Sequence, residues 1–228
     1  MSPGQFLVVF ASPGDPAPQH LDAACPGRVL RLTCADLSKR GWRLRLSKPA
    51  EGRAVISGDV VCVTDIAGVV VRKGWVTEED MPQIAGEDRY FVAAEAHAFL
   101  LAFFSSLPCP VWNPPTPSSL GGPYLRPLQW KRLAMECGLD VSEASALRGT
   151  WDEAPDHVVT VVGESCFGAP GGAWATAAHR LAVAAEAPLL SVGFATARSG
   201  PRFLSADPWP NLGGPGVAAA VVAALAPA

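Results

Sequence analysis

The sequence predicts an α/β fold that begins with a small parallel-sheet layer. Three observations predict it. Gln5–Ala11 (QFLVVFA) and Gly68–Arg72 (GVVVR) are short continuous apolar runs, the pattern of strands buried on both faces. Helical and strand-like patterns alternate between and after them. The chain is 228 residues long and 49% hydrophobic, enough to bury one compact domain or two small ones without staples.

The first run ends at Pro13-Gly14-Asp15-Pro16, a turn. Pro18–Cys25 reads as a short helix and Arg28–Leu32 as a second strand. Trp42–Leu46 (WRLRL) and Arg53–Ser57 (RAVIS) alternate strictly around a link holding Pro49 and Gly52, which predicts a half-exposed β-hairpin. Asp88–Leu107 is the clearest helix. Asp88 is its expected cap, Phe91, Ala94, Ala98, Leu101 and Phe104 its expected packed face, and Pro108 and Pro110 its stop. Val111–Asn113 is extended and leads into a Pro/Gly/Ser-rich loop, Pro114 to Pro123. Pro127 opens the next helix and Gly138 closes it. His157–Gly163 is a strand, and Ser165-Cys166 reads as its exit into a loop rather than a nucleophile elbow, since the G-x-S-x-G spacing is missed. Trp174–Glu186 is an alanine-rich helix. Leu189–Phe194 and Arg202–Ala206 flank a hairpin turn at Ser199-Gly200-Pro201, and a terminal helix starts near Gly216.

Composition narrows the function classes. Charged residues make up 17% of the chain and the net charge is −3, with no basic run, which argues against nucleic acid as a partner. The six cysteines are scattered without CxxC or Cys/His ligand spacing, so they read as thiols of a reducing compartment. The N-terminus has no basic n-region, and the C-terminal apolar run Val217–Leu225 falls short of the roughly 20 residues that span a bilayer. The expectation is a soluble, cytoplasmic protein with no membrane partner. There are four lysines, the last of them Lys131, and after Glu164 the only carboxylates are Glu186 and Asp207. His20, His97, His157 and His179 share no ligand spacing, and no metal site is expected.

Taken in order, these pieces resemble the ATP-grasp superfamily, specifically the peptide-modifying ligases of the microviridin and grasp-type ribosomal peptide pathways. VVFASPGDP, Asp36-Leu37, the WRLRLS segment and GVVVRK resemble their pre-ATP-grasp domain. RYFVAAEAHAFLLAFFSSLPCPVWNPP resembles the helix leading into their Trp-Asn-Pro element. RPLQWKRLAMECGLDV resembles the stretch before the nucleotide-binding lobe, with Arg126 where a lysine is usual. DHVVTVVGESCFGA resembles the strand returning from that lobe, and RFLSADPWPNL the terminal metal-binding strand. The resemblance implies a pre-ATP-grasp-like domain over residues 1–113 and a truncated ATP-grasp-core domain over 114–228.

It also implies losses. Only Ser145 to Pro155 stands where relatives place the lobe that closes over ATP. In their D-x-R-V-x-V-x-G pattern Asp156 is kept, but Val158 replaces the arginine. Gly193 takes the place of an acidic metal ligand. In the FLExNP element Ser205 replaces the glutamate, and Asp207 stands at the asparagine. Magnesium is held by carboxylates together with substrate phosphates, and phosphoryl transfer depends on that metal and its cationic clamp. The expectation is therefore no catalytic residue, no metal and no cofactor.

The residues left as ligand-binding candidates are Arg72, Lys73, Asn113, Asp207, Trp209 and Asn211. Arg72-Lys73 follows a predicted parallel strand, where open α/β sheets place ligand sites, with solvated charge as the alternative reading. Trp112-Asn113-Pro114-Pro115 reads first as a corner between domains. ADPWPNL reads as a pocket floor or as a loop in which Asp207 caps a turn. Two functions compete. The first is a non-catalytic protein that binds a peptide or protein as a partner subunit in ribosomal peptide modification, as a homo- or hetero-oligomer. The second is an ATP-grasp-type carboxylate–amine ligase subunit completed by a partner, with Arg72, Lys73, Asp156 and Asp207 as its polar groups.

Overall fold

The structure is a computed structural model and describes residues 4–141 and 154–225. Most of the segment Ser145 to Pro155, expected to stand in place of a nucleotide-binding lobe, lies outside the described residues. The chain divides into two compact units, residues 1–122 with 221–228, and residues 123–220.

The first unit is built on four strands, β1 (Phe6–Phe10), β2 (Val29–Leu32), β5 (Ile66–Val71) and β6 (Val111–Trp112), in the order β2-β1-β5-β6. Every pairing is parallel. Helix α1 (Ala17–Ala24) connects β1 to β2, and helix α2 (Gly86–Ser106) connects β5 to β6. Leu7, Val8, Val9 and Phe10 of β1, with Val69, Val70 and Val71 of β5, are almost wholly buried, as their unbroken apolar runs require. One core gathers Phe10, Leu32, Val69, Leu100, Phe103 and Phe104, with the Phe10 and Phe104 rings 5.6 Å apart.

Two expectations for this unit are corrected. The hairpin joins β3 (Arg53–Ile56) to β4 (Asp59–Cys62), not Trp42–Leu46 to Arg53–Ser57; the Trp42 segment keeps a single bridge, Arg43 to Arg53. Its turn is Ser57-Gly58, both at positive φ (53° and 91°), as a tight two-residue hairpin demands. Helix α2 starts two residues earlier than expected, so Asp88 lies in its first turn instead of capping it. The helix buries Ala93, Leu100, Phe103 and Phe104, while Phe91, Ala94 and Ala98, expected in the packed face, are exposed. Apolar residues surround this helix almost completely, so periodicity alone does not choose the face that packs.

The second unit holds a five-stranded sheet, β7 (Asp140–Val141), β8 (His157–Val162), β9 (Ser165–Phe167), β10 (Leu189–Ala197) and β11 (Gly200–Asp207), in the order β7-β11-β10-β8-β9. Its pairings are antiparallel except β11 with β7. Ser165-Cys166 thus belongs to a short strand folded back on β8, not to a loop exit. Helices α3 (Pro127–Glu136) and α4 (Gly172–Ala184) contribute Trp130, Ala134, Ala178 and Leu181 to a core with Val159, Val161, Leu190, Val192, Phe194 and Phe203. Strand alternation sends the intervening residues to the other face of the sheet. The last helix, α5, spans Val217–Leu225. Among the described residues, no helix is long and apolar enough to cross a membrane.

Candidate functional site

The second face of the five-stranded sheet carries the site. Register sets Val158 opposite Gly193, Thr160 opposite Ser191, Gly193 opposite Ser205, and Ser191 opposite Asp207. Six positions distant in sequence thus meet on one face. Val158, Ser191, Gly193, Ser205, Asp207 and Asn211 line a cavity of about 470 Å³ there, closed by Ala206 and Pro210. The Thr160 and Ser191 hydroxyls lie 3.3 Å apart, a hydrogen bond across the strands.

The loop after β11 gives the cavity its polar rim. Asp207 Oδ1 accepts the backbone N–H of Trp209 at 2.8 Å, and Asn211 Oδ1 accepts that of Gly213 at 2.9 Å. Both side chains fix turns of a Pro-rich segment in the way Asp and Asn characteristically do. Asp207 is the one acidic side chain of the lining.

The floor is tight. A Cβ built on Gly193 would collide with Ser205 Oγ and stand 3.0 Å from Pro155 Cβ. A side chain at 193 requires the Ser205 hydroxyl to turn away and Pro155 to give, so the lining as it stands does not accommodate a carboxylate there.

Of the residues expected from sequence, the structure brings Asp207 and Asn211 together and sets Trp209 beside them, outside the cavity lining. The other three lie in the first unit. Arg72, just past β5, places Nε 3.0 Å from Asp15 Oδ2, with its side chain only 8% exposed. Lys73 Nζ lies 3.0 Å from Asp80 Oδ2, and that oxygen also accepts the N–H and hydroxyl of Thr77. Where the sequence left anion binding and solvated charge both open, each cation is held in an internal ion pair. Asn113 is fully buried and packs under Gly122, whose positive φ of 91° lets the loop pass close over it. Asp156 Oδ2 accepts the N–H of Thr196 at 2.9 Å.

Sequence reasoning missed Ser191 and Arg202. Ser191 stands out only once register places it beside Asp207. Arg202 faces the same side as Gly193, by its pairing with Ala195, and its Nε is buried with no hydrogen-bond partner among the described residues. Among those residues no three His, Cys, Asp or Glu side chains gather where they could hold a metal. His179 pairs with Glu164 at 3.1 Å, and His157 meets the Trp174 ring edge-on.

The group to test against this lining is magnesium nucleotide. Mg²⁺ asks for near-octahedral oxygen ligands including one or two carboxylates. The cavity supplies one carboxylate, already accepting a turn N–H, with two serine hydroxyls and a glycine around it. The single carboxylate meets only the lower bound for the metal, and this lining holds no lysine or arginine for the phosphates, so it fits a magnesium nucleotide poorly.

No family model matches the chain, and no curated protein does. Solved structures are similar over nearly its whole length. The ATP-grasp ligase PsnB complexed with precursor peptide PsnA2 and AMPPNP superposes with a TM-score of 0.69 at 12% identity, covering 99% of this chain and 97% of that one. The macrocyclase MdnC bound with precursor peptide MdnA, from Microcystis aeruginosa MRC, gives 0.67 at 10% identity, covering 98% and 100%. A Chryseobacterium gregarium RiPP-associated ATP-grasp ligase in complex with ADP and a leader and core peptide gives 0.64 at 9% identity, covering 97% and 96%.

Proposed function

We propose that this chain, whose α/β fold is that of the RiPP-associated ATP-grasp ligases, has kept the scaffold without the ligase chemistry and serves as a non-catalytic partner subunit in ribosomal peptide modification, binding a peptide or a protein. One observation carries the reading. The cavity over β8, β10 and β11 is lined by Ser191, Gly193 and Ser205 around a single carboxylate, and a second one at 193 would have to displace the Ser205 hydroxyl. A hydroxyl-lined, weakly charged cleft suits backbone amides and neutral side chains better than a triphosphate with its metal. The absence of any lysine after Lys131 supports the same reading. A peptide is the favoured partner class because the similar ligases are themselves complexed with precursor peptides.

Titration calorimetry tests it directly. Mg-ATP should give no heat of binding to the full chain, and submillimolar, magnesium-dependent affinity overturns the proposal. Co-purification with the products of neighbouring genes should recover a precursor peptide or a full-length ligase.

A ligase subunit completed by a partner is the second reading. It is favoured by the Arg202 Nε, buried without a hydrogen-bond partner among the described residues and on the same sheet face as the Asp207 carboxylate. The substitution Asp207→Ala separates the two. Under the first it weakens partner binding at the cleft with no turnover to lose, and under the second it abolishes turnover of the reconstituted complex.

A further inference from the structure

Six of the chain's 18 lysines and arginines, Lys39, Arg40, Arg43, Arg45, Lys48 and Arg53, stand between positions 39 and 53, with Glu51 as the one carboxylate among them. No more than two are adjacent in sequence, and backbone pairing gathers them. Arg43 N–H donates to the Arg53 carbonyl and Arg53 N–H to the Arg43 carbonyl, both at 2.9 Å. Two residues that exchange both bonds stand directly opposite, with side chains on one face and Cα atoms about 5.5 Å apart. Both arginines are exposed. Like charges so placed repel and cost stability.

The nearby carboxylates are engaged elsewhere. Glu51 pairs with Arg45 and Lys48, and Asp36 with Lys39. Arg43 and Arg53 make no ion pair among the described residues. Strand β4 continues their face, with Cys62 opposite Arg53 and Val60 two residues before it, 53% exposed. Asp59, the one carboxylate of the two hairpin strands, falls by alternation on the other face. That inner face joins the core through Ala54, Ile56 and Val61, with Trp42 and Leu44 packed against it. The outer face therefore presents two unneutralised guanidiniums beside an exposed valine.

We propose that this face docks an acidic segment of a polypeptide partner, with a carboxylate held between Arg43 and Arg53. The argument is charge complementarity. A guanidinium offers a planar fork of N–H donors that matches a carboxylate, and the two carboxylate oxygens have lone pairs for both forks. Neutralising the pair also removes its repulsion, so relief of a cost already present in the free chain adds to affinity. Val60 gives an apolar neighbour of the acidic residue something to pack against. Nucleic acid fits less well. It asks for a longer basic track and, when single-stranded, for aromatic faces on which bases stack. This face has two free cations, its Trp42 is turned to the core, and the net charge of −3 repels a long polyanion. The inference uses residues of the first unit alone and does not depend on what the cavity over the five-stranded sheet binds.

Fluorescence anisotropy on the full chain with labelled hexaglutamate tests it, beside hexaglutamine and a thymidine hexanucleotide. Hexaglutamate should bind at an ionic strength of about 0.05 M and weaken toward about 0.15 M, because exposed charges are screened. Hexaglutamine should not bind, and the nucleotide should bind more weakly. Arg43→Glu and Arg53→Glu should each weaken hexaglutamate binding about tenfold. Each also sets a carboxylate opposite the remaining arginine, so urea unfolding should find both variants at least as stable as wild type. The joint change Arg43→Lys and Arg53→Lys keeps the charge without the fork and should cost about threefold. Arg132→Glu, at an exposed position of α3 outside this face, should leave binding unchanged. A wild-type chain that ignores hexaglutamate overturns the proposal. So does an equal loss in Arg132→Glu, which would mean unspecific charge, or tighter binding of the nucleotide, which would make the face a nucleic-acid site. Unchanged affinity in the lysine variant would overturn the forked contact.

Discussion

The two sheets of this molecule treat polar groups in opposite ways. The parallel sheet is apolar along its strands except at Arg31 of β2, whose guanidinium donates to the Ser12 and Asp15 carbonyls, and the charges beyond its strand ends are neutralised inside the fold, Arg72 by Asp15 and Lys73 by Asp80. The five-stranded sheet commits one face to α3 and α4 and leaves Thr160, Ser191, Ser205 and Asp207 on the other, around a cavity. Charge at the end of a strand is therefore no guide to a site here. In the first unit it is structural, and in the second a ring of mostly neutral groups makes the cleft. Substituting a carboxylate in each unit tests this contrast most strongly.

Asp15→Ala should be the costlier change. It leaves a largely desolvated guanidinium without its carboxylate and frees the Ala17 N–H that Asp15 Oδ1 accepts at 2.8 Å. Breaking a buried pair costs roughly 3–5 kcal/mol, and the 13% exposure of Asp15 places this one near the lower end, about 3 kcal/mol. Asp207→Asn keeps the turn acceptor and should change stability by less than about 0.5 kcal/mol. Urea unfolding of both variants checks the pair. Equal losses would erase the distinction drawn between the units.

Gly193→Ala sharpens the contrast from the other side. Overpacking a filled site costs about 1–3 kcal/mol, and the added methyl meets both Ser205 and Pro155. Adding Ser205→Gly to the same chain should recover most of the loss. A double-mutant cycle measures the coupling, and additive effects would mean that Ser205 does not close the floor.

The sequence made the strands legible where an apolar run ended at proline or glycine, as at QFLVVFA before Pro13-Gly14. It was ambiguous where two signals competed. WRLRL alternates as a strand should, yet Ser57-Gly58 is the stronger turn signal, and its two positive φ angles pair Arg53–Ile56 with Asp59–Cys62 instead. For α2 the 3.6-residue period holds for both stripes, and only packing against the sheet selects Leu100 and Phe103 over Phe91 and Ala98. Asp207 and Asn211 were visible as polar residues in a Pro-rich loop. Their neighbours Ser191 and Val158 were not, because strand register is a tertiary property that no local pattern encodes.

The smallest effect belongs to His97, which lines the acidic groove beside α2 with Glu78 and Glu79. Burial disfavours its charged form and lowers its pKa below the ordinary 6.5. Between the lowered value and 6.5 the unfolded chain binds a proton that the folded chain refuses. Stability from this residue is therefore whole above pH 6.5, and it declines as pH falls through the window to the folded pKa. Below that point both states are protonated and the decline stops. His97→Gln removes the proton site while keeping a polar side chain, so the difference between wild-type and variant unfolding free energies should slope with pH inside this window and be flat above it. A slope of opposite sign would mean that Glu78 and Glu79 hold the imidazole charged.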